Sequence, residues 1–251
     1  MREGSWQQQI SKADVVINLT GANIFAKWTP EYKKLLHDSR VLSTRHIVDA
    51  MEASENGITL INASAAGYYG FCGDEEKYED APPGNDFLAQ ICVDWEKEAK
   101  QAETKGGKVI ITRFGVVLGK DGGALAQMLP AFKIGVGGRL GEGRQWFPWI
   151  HIDDLAAAII FLMDNKDISG PVNLCSPNPV RNSELTETLG QVLHRPTLFP
   201  VPKFVLKLKF GEMASVLLES TRMMPGVLTN NKFPFQFPNL ENALKDLIAN
   251  K

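Results

Sequence analysis

Ser64 and its neighbours end a short apolar run, and they could bring a ligand close to the backbone. Residues 58–62 are apolar and partly β-branched, which is typical of a strand buried on both faces, and Gly67 follows soon after. Ligands of open α/β sheets bind at the carboxyl ends of strands, where small residues let the backbone approach them. The same string also fits a tight strand-to-loop turn that binds nothing.

Two glycine-rich segments are candidates for phosphate binding, but each lacks part of the required pattern. The segment from Gly115 to Lys120 is similar to a P-loop, yet it is one residue short and has Asp121 where Ser or Thr should bind magnesium. Residues 135–143 have neither a preceding strand nor a following helix, so they do not fit the dinucleotide-binding fingerprint. We therefore interpret both segments as loops.

The histidines and cysteines are too scattered to predict a metal site. They lie at positions 37, 46, 151 and 194 (His) and at positions 72, 92 and 175 (Cys). No pair has the spacing of known metal ligands. An odd number of widely separated cysteines is typical of reduced thiols. We expect no bound metal.

Charge and hydropathy argue against nucleic acid and membranes as partners of this chain. Its 251 residues are 44% hydrophobic and 22% charged, and 27 basic residues nearly balance 29 acidic ones, for a net charge of -2. This balance gives no electrostatic reason to expect nucleic acid or a membrane surface as a partner. No apolar run reaches the length of a membrane span, and the first residues lack a signal-peptide core. A cytoplasmic location is predicted.

Buried strands alternate with helices in the first half of the chain. Strands are predicted at residues 14–21, where the strand ends in small polar and glycine residues, and at 58–62 and 108–113. Thr29 followed by proline predicts the start of one helix, and a second runs from about residue 86 to residue 105. This alternation predicts an α/β fold with a parallel sheet and helices on both faces. On the first helix, Arg40 and Arg45 could be solvated or could reach a cofactor phosphate.

The second half predicts shorter elements around an aromatic segment. Residues 146–154 lead into an apolar helix at 155–163, which Asp153 or Asp154 could cap. The remaining expected elements are a strand at 171–175, a helix capped by Asn182, a helical segment from Pro202 to residue 218, and a final helix at 240–248.

Four segments give the chain a family resemblance that spacing alone does not. Residues 14–21, 64–70, 113–119 and especially 141–155 are similar to the NAD-dependent epimerase/dehydratase family, the extended or atypical part of the short-chain dehydrogenase/reductases. The strings Trp28-Thr-Pro, Ser39-Arg40 and Gly67-Tyr-Tyr-Gly70, together with the C-terminal tail, resemble its branch with a C-terminal domain of unknown function. The resemblance implies a Rossmann-like NAD(P)-binding domain at 1–175, with a substrate loop at 135–155, and a small, mostly helical cap lobe at 176–251.

The same resemblance implies NAD or NADP as cofactor and a small-molecule substrate, and it leaves a homodimer open. By position, Ser64 matches or adjoins the family's catalytic Ser/Thr, whose hydroxyl would polarise a substrate carbonyl. His151 fits a core histidine as well as it fits a substrate contact. The residues implied by position are Leu19, Thr20 and Gly21 at the cofactor, Phe114, Gly115 and Val116 at the nicotinamide, and Arg144, Trp146 and His151 at the substrate.

One departure from the family concerns its Tyr-x-x-x-Lys pair, in which the lysine lowers the pKa of the tyrosine that acts as acid and base. The aligned positions here are Leu88 and Cys92, with Glu96 one helical turn further. Cys92 is expected to be a small buried hydrophobe. Tyr69, like Tyr68, could supply a catalytic phenol from the neighbouring loop, or its ring could simply pack.

A second departure is the family's opening strand and glycine-rich turn, which place a pyrophosphate at a helix N-terminus. This sequence shows no such unit, so we expect an N-terminally truncated sheet, an exposed apolar edge and weak dinucleotide binding. The leading hypothesis is an NAD(P)-dependent oxidoreductase or epimerase-like enzyme. The alternatives are a non-catalytic nucleotide-sensing or partner-binding protein on the same fold, and a truncated inactive product.

Overall fold

The computed structural model describes residues 4–51, 57–219 and 221–249. The strands are β1 (Val15–Asn18), β2 (Thr59–Ala65), β3 (Glu76–Lys77), β4 (Lys108–Phe114), β5 (Val116–Leu118), β6 (Trp146–Phe147), β7 (Trp149–His151), β8 (Gly170–Leu174), β9 (Val180–Arg181) and β10 (Arg222–Met223). The helices are α1 (Gln7–Ile10), α2 (Pro30–Ala50), α3 (Phe87–Lys100), α4 (Gly123–Lys133), α5 (Ile152–Asp164), α6 (Asn182–Leu193), α7 (Lys203–Phe210), α8 (Ala214–Leu218), α9 (Gly226–Asn230) and α10 (Leu240–Ala249). Short 3₁₀ helices lie at Ala66–Tyr69, Gln101–Lys105 and Gly211–Met213.

The central sheet consists of β1, β2, β4 and β8 in that order, and every pairing is parallel. Its register places Asn18 beside Asn62, and Arg113 lies between Ser64 and Asn173. The carboxyl ends of β1, β2 and β4 therefore meet at one edge. The predicted α/β fold with a parallel sheet is confirmed.

Alternate residues of the strands pack on opposite faces of the sheet, as their two-residue period requires. Leu60 and Val109 join Ile47 of α2 and Ala99 of α3 in one buried cluster. Ile61 and Ile110 join Leu155 and Leu162 of α5 in another. Helices thus cover both faces, which explains why these strands are apolar throughout rather than alternating.

Of the three predicted caps, the one at Thr29 is confirmed, and Asp86 is the N-cap of α3, where the sequence predicted the start of a helix. The Thr29 hydroxyl accepts a hydrogen bond from Tyr32 N at the start of α2, with proline at the first helical position. Asp86 accepts hydrogen bonds from the backbone N–H groups of Leu88 and Ala89 at the start of α3. The predicted continuation to residue 105 is a 3₁₀ helix, which ends at Gly106 in the left-handed conformation.

The other two cap predictions were wrong. His151 caps α5, since its Nδ1 accepts a hydrogen bond from the backbone N–H of Asp153. Asp154 instead accepts hydrogen bonds from the backbone N–H groups of Gln236 and Phe237, and so fastens a distant loop to α5. Asn182 is the first residue of α6 rather than its cap, and its side chain accepts from Leu140 N.

A second core lies beside the sheet. It contains residues of α4, α6 and α10 together with Leu118 and Trp149. Residues on both sides of position 175, the predicted domain boundary, therefore share this core. The α7–α8 segment packs more loosely, with Phe204 and Leu208 exposed. Among the described residues, no helix is long and apolar enough to cross a membrane.

Strand β1 is one edge of the central sheet. It pairs with β2 on one side, and Ile17 and Leu19 are 43% and 60% exposed. An exposed apolar edge of this kind was predicted from the sequence.

Candidate active site at the strand ends

The loop that follows β1 is held by its own strand. Asn18 accepts hydrogen bonds from both the backbone N–H and the hydroxyl of Thr20 through Oδ1. This fixes Thr20 at the carboxyl end of the sheet, with Leu19 and Gly21 exposed on either side. The three predicted cofactor residues after β1 thus form an accessible turn at the edge where ligands of parallel sheets bind.

A buried polar network supports that turn from below. Asn18 Nδ2 donates to the Thr44 hydroxyl at 2.8 Å and to Asn62 Oδ1 at 2.6 Å. The indole N–H of Trp95 donates to the same Thr44 hydroxyl. Buried polar groups persist only when they are hydrogen-bonded, and these bonds tie β1, α2, β2 and α3 together. Our sequence analysis missed this network, although a polar Asn ending each of two apolar runs was a usable signal.

The two arginines of α2 have different surroundings. Arg45 forms a two-point ion pair with Glu98 on the surface, so it is not free to bind a phosphate. Arg40 turns inward toward the β1 turn, where it donates to the carbonyls of Leu36 and Ala22. A Cβ atom at Gly21 would lie 3.0 Å from its guanidinium carbon.

Burial lowers the pKa of Arg40, but a guanidinium remains charged at neutral pH. Within the described part of the chain, no carboxylate forms an ion pair with it. A half-buried, uncompensated cation beside the exposed turn is suited to binding an anionic group.

Ser64 belongs to a buried charged cluster. Its hydroxyl donates to Glu96 Oε1 at 2.7 Å. Arg113 holds the same carboxylate with both ends of its guanidinium, at 2.9 Å from Nε and 2.8 Å from Nη2. The Glu96 and Arg113 side chains are only 5% and 3% exposed. Burial lowers the pKa of Arg113, but the hydrogen bonds and charge of Glu96 outweigh it and raise the pKa above its usual range.

The predicted catalytic phenol of Tyr69 lies inside the protein. Its oxygen accepts a hydrogen bond from Arg113 and donates to Asn173 Oδ1 at 2.6 Å. Burial raises the pKa of Tyr69 far above its ordinary value, although Arg113 opposes the shift. The Tyr68 ring covers the Arg113 guanidinium at 3.4 Å. Both aromatic rings therefore enclose Arg113, and a catalytic role for Tyr69 stays a prediction.

Helix α3 lines the carboxyl end of β2 with Leu88, Cys92 and Glu96, which recur every four residues on one face. A Cβ atom at Gly67 would lie 3.4 Å from Leu88 Cβ and 4.0 Å from Cys92 Sγ. Burial raises the pKa of the Cys92 thiol to about 12, with a further contribution from Glu96. A neutral, buried thiol fits the small hydrophobe that we predicted.

The predicted nicotinamide contacts form the bend between β4 and β5. Phe114 ends β4, and Val116 begins β5 with its N–H bonded to Pro148 O at 2.6 Å. At Gly115, a Cβ atom would lie 2.7 Å from the same Pro148 oxygen, so only glycine fits without moving the backbone. All three residues are partly exposed near the edge that carries Ser64.

The predicted substrate residues do not form one cluster. Arg144 is exposed, and its Nε lies 3.5 Å from Glu142 Oε2. The guanidinium groups of Arg181 and Arg222 lie 4.5 and 4.7 Å from the centroid of the Trp146 ring, so two cations already contact it.

His151 lies elsewhere, buried and stacked on Phe237 at 3.9 Å. Its Nε2 is 3.5 Å from Asp246 Oδ2, and Asp153 and Asp246 are close enough to share a cation with it. Its Nδ1 is already engaged by the α5 backbone. Its burial fits a core histidine, and a substrate contact for His151 stays a prediction.

A cavity of about 510 Å³ lies between the start of α3 and the α7–α8 segment. Its walls are Trp28, Phe71, Asp86, Phe87, Leu88, Lys207, Gly211, Glu212, Ala214, Ser215, Leu218 and Glu219. Leu88 of α3 and Leu218 of α8 both line it, so the cavity lies where the sheet-bearing part of the chain meets the C-terminal helices.

Comparison with known proteins agrees with this architecture. The model of the NAD-dependent epimerase/dehydratase family matches residues 1–175, and a domain of unknown function (DUF1731) matches residues 201–247. An epimerase family protein of Staphylococcus haemolyticus is 42% identical over 247 residues, which are 97% of this chain and 82% of the relative. The chloroplastic SDR39U1 homolog of Arabidopsis thaliana, also called an epimerase family protein, is 41% identical over 98% of this chain and 72% of its own.

A solved structure extends the comparison to three dimensions. The crystal structure of human epimerase family protein SDR39U1 (isoform 2) with NADPH has a TM-score of 0.90 and 29% identity, and the match covers 100% of this chain and 89% of that one. The family resemblance seen in the sequence is thereby confirmed, and so is its branch with the C-terminal domain of unknown function. The chain belongs to the NAD-dependent epimerase/dehydratase family.

Proposed function

We propose that the chain binds NADPH at the carboxyl ends of β1, β2 and β4 and uses it in an oxidoreductase or epimerase-like reaction on a small molecule. The observation that carries the proposal is the exposed turn of Leu19, Thr20 and Gly21 with Arg40 beside it, a cation that has no carboxylate partner among the described residues. Arg40 supplies the positive charge that a dinucleotide phosphate needs. Further support comes from family membership and from the human relative, whose crystal structure contains NADPH.

The nicotinamide ring supplies a hydride donor or acceptor when the cofactor is bound. The protein orients the substrate and offers it one hydrogen-bonding group, the Ser64 hydroxyl. Because the Ser64 hydroxyl donates its hydrogen bond to the Glu96 carboxylate, the Ser64 oxygen can accept a hydrogen bond from a substrate hydroxyl. Arg113 keeps Glu96 in place through two hydrogen bonds. Polarising a substrate carbonyl instead requires the Ser64 hydroxyl to rotate away from Glu96.

Non-catalytic nucleotide sensing is the second candidate, and two observations favour it. The face of α3 carries Leu88 and Cys92, neither of which replaces an acid-base tyrosine and its lysine. Ser64 is buried, with 3% of its surface exposed. A sensing protein would bind NADPH with an affinity that does not depend on Ser64 and would turn over no substrate.

The test compares Ser64→Ala with Ser176→Ala, a matched variant. Ser176 is also buried and follows β8, another strand of the same sheet, but its hydroxyl donates to Pro238 O. NADPH binding is measured by titration, and NADPH oxidation is followed by absorbance against a panel of ketones and aldehydes. The enzyme proposal expects turnover that Ser64→Ala lowers by about 10²–10³-fold, the cost of losing one positioned donor, and that Ser176→Ala preserves. NADPH binding with no turnover across the panel favours sensing, and absence of NADPH binding rejects both candidates.

A further inference from the structure

The cavity between α3 and α7–α8 has a chemical character that narrows the substrate class. We propose that it binds an uncharged molecule with an aromatic or aliphatic body and one hydroxyl or carbonyl group, and that it excludes nucleotide-linked or phosphorylated substrates. This inference rests on the proposed function, because the reacting group is inferred from NADPH chemistry. The shape of the site, however, is independent of the cofactor.

The walls that face each other are apolar. Trp28 and Phe87 meet edge to face, with ring centroids 5.3 Å apart. Phe71, Leu88 and Leu218 complete this surface. Apolar and aromatic walls with few polar groups are the usual lining of sites for small organic molecules. The largest favourable contribution to binding here is burial of an apolar body.

The charged groups around the cavity point to the same class. Asp86, Glu212 and Glu219 contribute three carboxylates, whereas Lys207 contributes the lining's single ammonium. Two of the carboxylates already have partners, since Asp86 caps α3 and Glu212 pairs with Lys33. Phosphate recognition requires convergent cationic or N–H donors. Of the groups that line the cavity, Lys207 is the single cation, which is too little positive charge to hold a diphosphate, whereas a neutral molecule needs none.

The cavity also lies on the side of α3 that leads to the proposed reaction centre. Leu88 is in its wall, and Cys92 and Glu96 follow on the same helical face. Two helical turns separate Leu88 from Glu96, which is about 12 Å along the axis. Cys92 and Glu96 are only 5% and 4% exposed, so a molecule bound at Leu88 reaches the Ser64–Glu96 pair only when the side chains between them move.

Saturation-transfer NMR on the full chain, without cofactor, tests the class of ligand. The probes are benzylacetone, a neutral aromatic ketone, and UDP-glucose. The cavity variant is Phe87→Ala, and its matched control is Phe204→Ala, which removes an exposed aromatic ring that does not line the cavity. We expect saturable transfer to benzylacetone, no transfer to UDP-glucose, an affinity about tenfold lower in Phe87→Ala, and no change in Phe204→Ala.

Circular dichroism and the NMR spectrum of each variant first establish that it is folded. If Phe87→Ala does not fold, Leu218→Arg replaces it, since a long cation fills the cavity from the other side. Competition between UDP-glucose and benzylacetone would overturn the inference, and so would equal losses in the cavity variant and its control. A separate NADPH titration keeps the two proposals apart. If NADPH binds and benzylacetone does not, only the proposed substrate class is rejected. If benzylacetone binds and NADPH does not, the proposed function is rejected.

Discussion

Replacing Glu96 by glutamine should destabilise the protein far more than the same change at Glu98, half a turn further along α3. Glu96 and Arg113 are 5% and 3% exposed, so the variant leaves the charge of Arg113 buried without a counter-charge. Breaking a buried pair of this kind costs about 3–5 kcal/mol. Glutamine can keep one acceptor oxygen for Ser64 and Arg113, which places the expected loss near the lower limit, at about 3 kcal/mol.

Glu98 is the matched control because it also forms a two-point pair, with Arg45, but at the surface. Half of the Arg45 side chain is exposed, so water screens the pair and its loss should cost about 0.2–1 kcal/mol. Both substitutions remove the charge of a carboxylate held at two points by an arginine, but the arginine is 3% exposed in one pair and 50% exposed in the other.

Urea unfolding at neutral pH, followed by tryptophan fluorescence, measures both losses. With a slope of about 2–3 kcal/mol per molar urea, a loss of 3 kcal/mol lowers the midpoint by about 1–1.5 M. Adding Arg113→Met to Glu96→Gln should restore part of the stability, because it removes the unpaired charge. Losses within about 1 kcal/mol of each other at Glu96 and Glu98 would refute the claim that the inner pair is desolvated.

Three further predictions concern buried groups. An aromatic disulfide reagent at pH 8 should modify Cys72 in the folded protein and leave Cys92 unmodified, because burial raises the pKa of the Cys92 thiol to about 12; equal reaction rates at both would contradict the structure. Tyr69→Phe should cost about 1–3 kcal/mol at pH 7. This difference should shrink above pH 10, since burial raises the pKa of the folded-state phenol above that of the unfolded chain, and a constant difference across that range would argue against it. Asp154→Asn should cost about 1.5–3 kcal/mol by urea unfolding, against less than about 0.5 kcal/mol for the exposed Asp153→Asn, and a reversed order would mean that Asp153 is the true anchor.

The sheet could be predicted because each of its strands is recognisable as a short apolar run in the sequence. Three apolar runs separated by helical segments leave few alternatives to parallel strands with helices on both faces. The Thr29 cap was also predictable, because its hydrogen-bond partner lies only three residues away in the sequence. The His151 cap was missed because a histidine nitrogen serves this role far less often than Asp or Ser.

The candidate site was harder to predict because its contacts are distant in the chain. Ser64 and Glu96 are 32 residues apart, and Tyr69 and Asn173 are 104 apart. Only the sheet register brings Ser64 beside Arg113. In the sequence, Glu96 is recognisable only as a residue one helical turn beyond the position of the expected lysine. The family resemblance placed Ser64 at the site but could not show that its proton is held by a carboxylate.

The most direct test of the central claim is the dissociation constant of NADPH for the full chain, measured for the native protein, Arg40→Gln and Arg45→Gln. The two arginines lie on the same helix, but only Arg40 adjoins the turn after β1 and lacks a carboxylate partner within the described residues. We predict saturable binding that Arg40→Gln weakens by about 10–100-fold, the value of one charge-assisted hydrogen bond, and that Arg45→Gln leaves unchanged. Equal affinities in all three proteins, or no binding of NADPH by the folded native chain, would contradict a cofactor site at these strand ends.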